Sequence, residues 1–361
     1  MSIHPTAVID PSAKIGRDVE VGAFSVIGPD VVLGDGCKIR NHVTIDGHTT
    51  LGARCEVFPQ AVLGLPPQDI KYRGERTTLE IGNDNVFREM VTVHPGTENG
   101  GGETRIGDRN LLLIGVHIAH DCRIGNDCIM ANYVQFAGHV HVEDNVNMGG
   151  HSAVHHFATI GKHAFVGGMT RITADVPPFM VVVAARGTRS EIRMVNGVGL
   201  QRSGYDNQDI AELKKTFMRL FSRRARMDGS AIRDRILDIL NAEPVNEHVG
   251  YLCRFLLRSF DKGRHGRYLE SLRNDEVHRK TWSTQSEFTL TVHVEGKGRV
   301  DDVPASQKSV SRIVRELTAR PEPGWVFAGW DGGLSGSDNP QHLVLDADKA
   351  VTAVFHNGSS T

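Results

Sequence analysis

The chain has 361 residues, with 41 Lys and Arg against 43 Asp and Glu and a pI near 6.8. This near-neutral charge argues against general attraction to nucleic acid or to a membrane surface, and no run approaches the ~18 apolar residues of a membrane-spanning helix. The first residues, MSIHPTAVID, do not read as a signal peptide, and the five cysteines lack the paired close spacing of a disulfide framework. We therefore expect a cytoplasmic protein without stable membrane insertion.

The first element is a repeat of six residues that begins at Ile3. Each unit opens with an aliphatic residue and has a small residue in its fifth position. The units read IHPTAV, IDPSAK, IGRDVE, VGAFSV, IGPDVV, LGDGCK, IRNHVT, IDGHTT, LGARCE and VFPQAV. The pattern returns at Ile81, and it runs through twelve further units from Ile106 to Pro177.

Each hexad predicts a short strand and a turn, so that three hexads form one coil of about 18 residues and coils stack about 4.8 Å apart. This pattern resembles that of the hexapeptide-repeat acyltransferases, which implies an all-β, left-handed parallel β-helix over residues 1–190. Two polar, glycine-rich breaks, at 65–78 and 94–104, are predicted to be loops that leave the prism.

The repeat also gives an interpretation of the cysteines. Cys37, Cys55, Cys122 and Cys128 all occupy fifth hexad positions, where a small buried residue is expected. Cys253 falls on a later helical pattern and is also predicted to be in a core. No thiol chemistry is predicted.

A small α-helical domain is predicted over residues 191–272. Helical spacing of apolar residues covers 208–226 and continues through 230–240 and 246–260. This domain carries a basic cluster, which is either a solvated helix face or a dock for an acidic partner. Its members are Lys214, Lys215, Arg219, Arg223, Arg224 and Arg226.

Residues 273–361 are predicted to be a linker followed by a short β-rich module with small antiparallel strands. The segments GWVFAGWDGG and DADKAVTAVF resemble a bacterial surface-type repeat of the internalin-B kind. We interpret this part as an appended binding or structural module and assign no chemistry to it.

Eight histidines lie between residues 117 and 163. With 18 residues to a coil, four of them are predicted to share one edge of consecutive coils, within reach of one small ligand: His120, His139, His155 and His156. The other candidates, His141, His151 and His163, are predicted to face solvent.

Seven segments carry a resemblance to the UDP-N-acetylglucosamine O-acyltransferases, which catalyse the first step of lipid A biosynthesis. In order they are LGLPPQDIKYRGERTTLEIG, VTVHPGTENGGGETRIG, NLLLIGVHIAHDCRIGNDCIMAN, FAGHVHVEDN, VHHFATIGKHAFVGGM, DVPPF and VNGVGLQRSG. The resemblance covers about residues 1–270. It implies transfer of a 3-hydroxyacyl chain from acyl carrier protein to the 3-hydroxyl of UDP-N-acetylglucosamine, by a homotrimer that needs no cofactor and no metal.

The resemblance also implies roles for individual residues. His120 would be the general base, Asp121 would orient it, and the backbone N–H of Gly138 would stabilise the oxyanion. The residues implied to bind substrate are Asp69, Lys71, His117, His139, His155, His156, Asn196 and Arg202. Gly168 and the adjacent Met169 fall where the family sets acyl-chain length, and a glycine there implies a longer groove.

Three positions depart from the family pattern, because Pro95, His156 and Val198 replace a basic residue, a glutamine and an acid. These differences leave open whether the acceptor sugar carries a 3-hydroxyl or a 3-amino group.

Three alternatives remain at this point. A γ-class carbonic anhydrase has the same fold and holds zinc with three histidines, although such chains lack the helical domain. The related N-acyltransferase of the same pathway carries an extra N-terminal domain, whereas these hexads begin at residue 3. A prism scaffold with an adhesive tail would have no enzymatic activity.

Overall fold

The computed structural model describes residues 2–185, 190–222, 225, 231–242, 245–273, 290–304, 313–345 and 349–358. The chain forms two compact units, residues 1–280 and 281–361. Part of the basic cluster, Arg223, Arg224 and Arg226, lies outside the described residues. No helix in the described part of the chain is long and apolar enough to cross a membrane.

The first unit is built around a prism of three sheets, whose strands pair in parallel except for the antiparallel last pair of the first face, Met180–Ala184 with Ser190–Val195. On the first face, Ser2 pairs with Glu20, which pairs with Lys38, a spacing of 18 residues per coil. The prediction of a parallel β-helix with 18-residue coils is therefore confirmed.

The strands of each face follow one another along the prism axis. The first face comprises Ser2–Ile3, Glu20–Val21, Lys38–Ile39, Glu56–Val57, Val86–Phe87, Leu111–Leu112, Ile129–Met130, Asn147–Met148, Phe165–Val166, Met180–Ala184 and Ser190–Val195. The second face comprises Val8–Ile9, Val26–Ile27, Thr44–Ile45, Val62–Leu63, Thr92–Val93, His117–Ile118, Gln135–Phe136, Ala153–Val154 and Arg171–Ile172. The third face comprises Lys14–Ile15, Val32–Leu33, His48–Leu51, Thr78–Ile81, Glu103–Ile106, Arg123–Ile124, His141–Val142 and Thr159–Ile160.

The hexad positions explain why the chain turns where it does. First positions such as Ile27 and Ile45 point into the prism and are buried, as are the small fifth positions. Many fourth positions adopt the left-handed conformation, for example Asp18 at φ 55° and His42 at φ 56°. No β-branched residue stands among the described non-glycine residues with positive φ, which agrees with the strain such side chains meet there.

Both predicted loops leave the prism where expected. Glu56 pairs with Val86 and Val86 with Leu111, offsets of 30 and 25 residues instead of 18. The extra residues form the loops near 65–77 and 94–102, and the second of them includes a 3-10 turn at Glu98–Gly100.

A helical layer covers the end of the prism. Its elements are α1 (Gly197–Arg202), α2 (Asn207–Phe221), α3 (Ile232–Leu240), α4 (Glu247–Leu257), a π-helical turn at Arg258–Lys262 and α5 (Tyr268–Ser271). α2 begins where the Asp206 carboxylate accepts from Asp209 N, and it buries Ile210, Leu213 and Leu220 against Phe179 and Met180 of the last coil. This layer confirms the predicted helical elements.

The described basic residues of α2 lie on its solvent side. Lys214, Lys215 and Arg219 are exposed. Lys215 pairs with Glu212 at 2.6 Å and Arg219 with Asp238 at 3.8 Å. These contacts are those of a solvated helix face.

The second unit contains two three-stranded sheets. One comprises Leu290–Glu295, Lys349–Asn357 and Trp325–Gly332, and the other comprises Gly298–Pro304, Ile313–Pro321 and Gln341–Leu345. The β-rich module is confirmed, but the expectation of purely antiparallel strands is wrong, because Leu290–Glu295 pairs in parallel with the last strand. Its own core includes Leu317, Trp330 and Phe355.

Two groups of sequence predictions are settled by burial. All five cysteines are free and buried, as expected. The prediction that His163 faces solvent is wrong: it is 9% exposed and packs against Phe179 and Tyr205, because the helical layer covers its corner of the prism.

Candidate active site

The candidate site lies at the corner between the second and third faces of the prism. Because the coils stack, residues in the same hexad position form columns along the prism. The third-position column at this corner contains His120, Gly138 and His156, and the fourth-position column beside it contains Asp121, His139 and Phe157. The sequence prediction of a shared edge is therefore correct. Within that edge, His139 lies in the column of Asp121 and not in the column of His120.

His120 and Asp121 form a hydrogen-bonded pair. His120 Nδ1 lies 2.7 Å from Asp121 Oδ2, and Asp121 is fully buried while the His120 side chain keeps 14% of its exposure. Asp121 Oδ1 accepts from the backbone N–H of Thr97 at 2.7 Å, and Oδ2 accepts from the Thr97 hydroxyl at 2.7 Å. The backbone N–H of Asp121 in turn donates to Thr104 Oγ1 at 2.8 Å.

These contacts define the tautomer of His120. An ionised carboxylate only accepts hydrogen bonds, so Nδ1 of His120 carries the hydrogen and donates it to Asp121. In the neutral ring, Nε2 then holds the free lone pair. The pair therefore presents a proton acceptor at the partly exposed end of the imidazole.

Sequence reasoning from the repeat predicted the loop at 94–104 but missed that this loop holds Asp121. Thr97 supplies two of the donors, and Gly100 lies so close that an added Cβ would be 2.0 Å from the Asp121 carboxyl carbon. The glycine-rich stretch GTENGGGET was the available signal: a loop rich in Gly and Thr suits close approach to a buried carboxylate.

Gly138 lies directly beside the His120 ring. A Cβ at this position would be 2.5 Å from His120 Cε1 and 2.7 Å from Nε2, so a side chain would occupy the space next to the free lone pair. Its backbone N–H makes no hydrogen bond within the described residues.

Third-position N–H groups differ between the corners of the prism, and those of His120 and His156, like that of Gly138, make no hydrogen bond within the described residues. At the corner between the third and first faces, third-position N–H groups donate to a side chain of the following coil. Arg17 N donates to Asp35 Oδ1 at 2.8 Å, and Asn126 N donates to Asp144 Oδ1 at 2.6 Å. His156 takes the corresponding position after Gly138 and accepts no such bond, which leaves the Gly138 N–H available to a ligand.

Two further histidines are held neutral beside the pair. His139 stacks on Phe157 at 4.4 Å, and its Nε2 lies 3.7 Å from Asp121 Oδ2. Burial, opposed by Asp121 and assisted by His120, lowers the pKa of His139 to about 4. Burial and the neighbouring His94 lower the pKa of His117 to about 4, and its Nδ1 is 2.8 Å from Thr92 Oγ1.

His155 and His156 complete the cluster on the next coil. Their ring centroids are 4.2 Å apart, and His155 Nδ1 lies 3.1 Å from the carbonyl oxygen of His156. Burial and His155 lower the pKa of His156. An uncharged imidazole ring can donate one hydrogen bond to a polar ligand and accept another from it.

One group of side chains at this corner has donor atoms close enough for a metal ion: His120, Asp121 and His139, whose atoms lie within 4.8 Å of one another. The fit to a metal is poor. The 2.7 Å contact between His120 and Asp121 is a hydrogen bond, and Thr97 occupies both carboxylate oxygens. A zinc ion would compete with these hydrogen bonds for the Asp121 oxygens.

The remaining predicted residues lie elsewhere on the protomer. Asp69 and Lys71 belong to the first loop, where Asp69 Oδ1 accepts from Lys71 N at 2.9 Å. This loop borders a cavity of about 270 Å³ lined by Tyr72, Glu75 and Arg76. Gly168 and Met169 lie at the corner between the first and second faces, and Met169 is 79% exposed.

The predicted nucleotide-binding residues lie at the third corner. Asn196 caps α1, accepts from Gly199 N at 3.2 Å and donates to the carbonyl oxygen of His163 at 2.9 Å. Arg202 is exposed at the end of the same helix. A single protomer thus brings together the histidine cluster, Asp121 and Gly138, but not the nucleotide and acyl-chain residues.

Three family models match different parts of this chain. The family model for the second domain of UDP-N-acetylglucosamine O-acyltransferase matches residues 175–265. The bacterial hexapeptide transferase model matches residues 12–47 and 103–138, and the divergent InlB B-repeat model matches residues 288–359.

Two curated relatives and one solved structure match most of the first unit. The acyl-[acyl-carrier-protein]–UDP-N-acetylglucosamine O-acyltransferase of Synechocystis sp. is 45% identical over 265 residues, which are 73% of this chain and 93% of the relative. That of Sinorhizobium fredii is 39% identical over 266 residues, 73% and 97% of the two chains. A crystal structure of UDP-N-acetylglucosamine acyltransferase is 42% identical, covers 71% of this chain and 96% of its own, and has a TM-score of 0.66. The predicted left-handed β-helix with a helical domain is thereby confirmed.

Proposed function

This chain belongs to the acyl-[acyl-carrier-protein]–UDP-N-acetylglucosamine O-acyltransferases, and on that premise we propose that it moves a 3-hydroxyacyl chain from acyl carrier protein to the 3-hydroxyl of UDP-N-acetylglucosamine. This is the first step of lipid A biosynthesis. The observation that carries the proposal at the level of residues is the His120–Asp121 pair, with its free Nε2 beside the unpaired N–H of Gly138.

In the proposed mechanism, His120 Nε2 removes the proton of the sugar hydroxyl as that oxygen attacks the thioester carbonyl carbon. Asp121 holds the ring in the required tautomer and stabilises the imidazolium that forms. The tetrahedral intermediate then collapses, the C–S bond breaks, and the imidazolium returns its proton to the departing thiolate of the carrier. Every proton is accounted for by one histidine.

Gly138 is proposed to stabilise the oxyanion. Its N–H makes no hydrogen bond within the described residues, and the missing side chain leaves room for the thioester oxygen next to His120. A preorganised donor of this kind is worth about 10²–10³ in turnover in other acyl-transfer sites.

His117, His139, His155 and His156 are proposed to position the sugar and acyl group by neutral hydrogen bonding. The low pKa values of His117 and His139, about 4 each, support this role, because both rings are uncharged at neutral pH. Asp69 and Lys71 are proposed to contact the sugar nucleotide, Asn196 and Arg202 the nucleotide, and Gly168 with Met169 the acyl chain.

We propose that the active form is a homotrimer whose sites lie between neighbouring prisms. Two features support this. The residues assigned to base, acyl chain and nucleotide occupy three different corners of one protomer, so only a neighbouring chain can bring them to one site. The corner between the first and second faces also exposes apolar fourth-position side chains, with Phe24 58%, Tyr133 42% and Met169 79% exposed, which favour contact with another chain.

The cytoplasm is the proposed compartment. Five free cysteines, all buried, suit a reducing environment.

A coupled assay tests the function. Purified protein is supplied with UDP-N-acetylglucosamine, or its 3-amino analogue, and a panel of 3-hydroxyacyl carrier proteins. We expect transfer to the 3-hydroxyl sugar, and a loss of several orders of magnitude in His120→Ala with an unchanged thermal midpoint. Near-normal turnover in that variant would refute the base, and preference for the amino analogue would revise the acceptor. Stoichiometric zinc that is required for activity would instead favour the carbonic anhydrase alternative.

A further inference from the structure

The first loop, which begins at Leu65, interrupts the backbone hydrogen bonds that join one coil to the next. Where coils are complete, the N–H of a fourth hexad position donates to the carbonyl oxygen of the third position one coil earlier, as His139 N does to His120 O at 3.0 Å. By the same count Gly96 N would donate to Leu65 O, but it donates to Thr78 O at 3.2 Å. The Leu65 carbonyl is therefore left without the backbone donor that its hexad position has in a complete coil.

The side chain of His94 takes the place of this donor. His94 Nδ1 lies 3.0 Å from Leu65 O, and because a carbonyl oxygen only accepts, this nitrogen carries the hydrogen. His94 is 8% exposed, and its backbone N–H donates to Ile118 O at 3.1 Å. A buried histidine that is anchored in the prism thus holds the first residue of the loop.

The chain that follows Leu65 is stiff. Pro66 and Pro67 come next, and proline fixes its own φ angle and restricts the residue before it to extended conformations. Asp69 lies two residues further on, and its Oδ1 accepts from Lys71 N at 2.9 Å. The contact at the Leu65 carbonyl therefore sets the direction in which the chain leaves toward Asp69 and Lys71.

The same imidazole also contacts the histidine cluster. The ring centroids of His94 and His117 are 5.4 Å apart, with 67° between the ring planes, so the two rings meet edge to face. His117 Nδ1 lies 2.8 Å from Thr92 Oγ1 on the preceding coil. His94 is thus in contact with both the start of the loop and the ring of His117.

We propose that His94 is a positioning residue for the sugar-nucleotide site. Its Nδ1–H holds the start of the loop that carries Asp69 and Lys71, and its ring sets the spacing between that loop and His117. This role rests on the proposed function, in which those three residues contact the sugar nucleotide. His94 itself makes no contact with substrate in this proposal, so its loss acts through the geometry of the groups that do.

The test compares three substitutions of His94 with a control in the prism core. Asn places an amide nitrogen where His has Nδ1, Gln places one where His has Nε2, and Phe keeps an aromatic ring without a donor. The control is Ser25→Ala, which removes a fully buried hydroxyl that donates to Arg40 O at 2.7 Å, away from every residue assigned to the site. KM for each substrate, kcat and the thermal midpoint are measured for all four variants.

We expect His94→Phe and His94→Gln to raise the KM of UDP-N-acetylglucosamine roughly tenfold, the effect of about one lost hydrogen bond, with kcat and the KM of the acyl carrier protein nearly unchanged. His94→Asn should keep a KM near the wild-type value, and Ser25→Ala should lower the thermal midpoint without changing either KM. An unchanged KM for the sugar nucleotide in His94→Phe, or equal impairment of the Asn and Gln variants, would overturn the proposal. The same rise in the control, or a parallel rise in both KM values, would also overturn it.

If wild-type protein transfers no acyl group, the proposed function fails by itself. Calorimetric titration with UDP-N-acetylglucosamine then decides the inference separately. Tighter binding by wild type and His94→Asn than by His94→Phe supports it, whereas equal affinities, or no binding by any of the three proteins, reject it.

Discussion

Asp121 is fully buried, and its Oδ2 lies 2.7 Å from Nδ1 of His120, the one member of the pair that reaches solvent. Thr97 donates to both oxygens of the carboxylate, to Oδ1 from its backbone N–H and to Oδ2 from its hydroxyl. The carboxylate therefore cannot rotate away or exchange its partners without losing a buried hydrogen bond. This arrangement fixes both the direction of the imidazole and the nitrogen that is left without a hydrogen.

Asp121→Asn is expected to lower kcat by about 10²–10⁴ while the protein stays folded. The amide has nearly the same shape, but its NH₂ group toward His120 would require Nδ1 to accept, which places the hydrogen on Nε2 and removes the proton acceptor. Steady-state kinetics with saturating substrates measure the effect.

Asp127→Asn is the matched control for this change. Asp127 also occupies a fourth hexad position, with φ 57° against 60° for Asp121, and its partner is Arg109 at another corner. We expect its kcat to equal that of wild type. Equal loss in both variants would show that the effect comes from the backbone turn and not from the tautomer.

Thr97→Val removes the hydroxyl donor to Asp121 but keeps the shape of the side chain. A buried carboxylate that loses one donor costs about 1–3 kcal/mol of stability. We expect kcat to fall with little change in either KM, because the variant loosens the orienter and leaves the substrate contacts in place.

Thr97→Ser separates this role from packing. It restores the hydroxyl without the methyl group, so kcat should return most of the way to the wild-type value. If Ser and Val variants are equally impaired, the hydroxyl contact to Asp121 does not support the base.

The stability of the first unit is expected to fall as the pH drops from about 6.5 to about 4. Burial is the largest cause that lowers the pKa values of His117, His139 and His163 to about 4, whereas unfolded histidine titrates near 6.5. In this window the unfolded chain binds more protons than the folded chain, so each histidine weakens the fold by on the order of 2 kcal/mol between pH 7 and pH 5. Above pH 7 all three are neutral in both states, and their contribution is constant.

His163→Phe tests the histidine most remote from the proposed chemistry. Its ring stacks on Phe179 at 6.1 Å, so phenylalanine keeps the aromatic contact and removes the titration. We expect the thermal midpoint of this variant to fall less between pH 7 and pH 5 than that of wild type. An identical decline in both proteins would mean that His163 does not titrate in this window.

The parts of this architecture that the sequence predicts are those governed by the hexad. An inward aliphatic residue repeats every six residues, and many fourth positions are left-handed, so the column of His120 and Gly138 follows from counting. The count fails where the period is interrupted: Thr97 and Gly100 reach Asp121 through a loop whose path no periodicity describes. Counting also fails where segments that are distant in sequence pack onto the prism. The helical layer buries His163, and Arg273 contacts Phe157 although more than a hundred residues separate them.

Removal of residues 281–361 is expected to leave oligomeric state and turnover unchanged. These residues form a separate compact unit with its own core around Leu317, Trp330 and Phe355, and every residue assigned to the site lies in the first unit. Size-exclusion chromatography with light scattering and the coupled assay measure the two properties on the same preparation. Loss of turnover with an intact oligomer would show that the module takes part in catalysis or carrier binding. A different result would support the scaffold interpretation: both the truncated and the intact protein assemble, but neither transfers an acyl group. An inert prism with an adhesive tail would then explain the chain better than an enzyme with an accessory module.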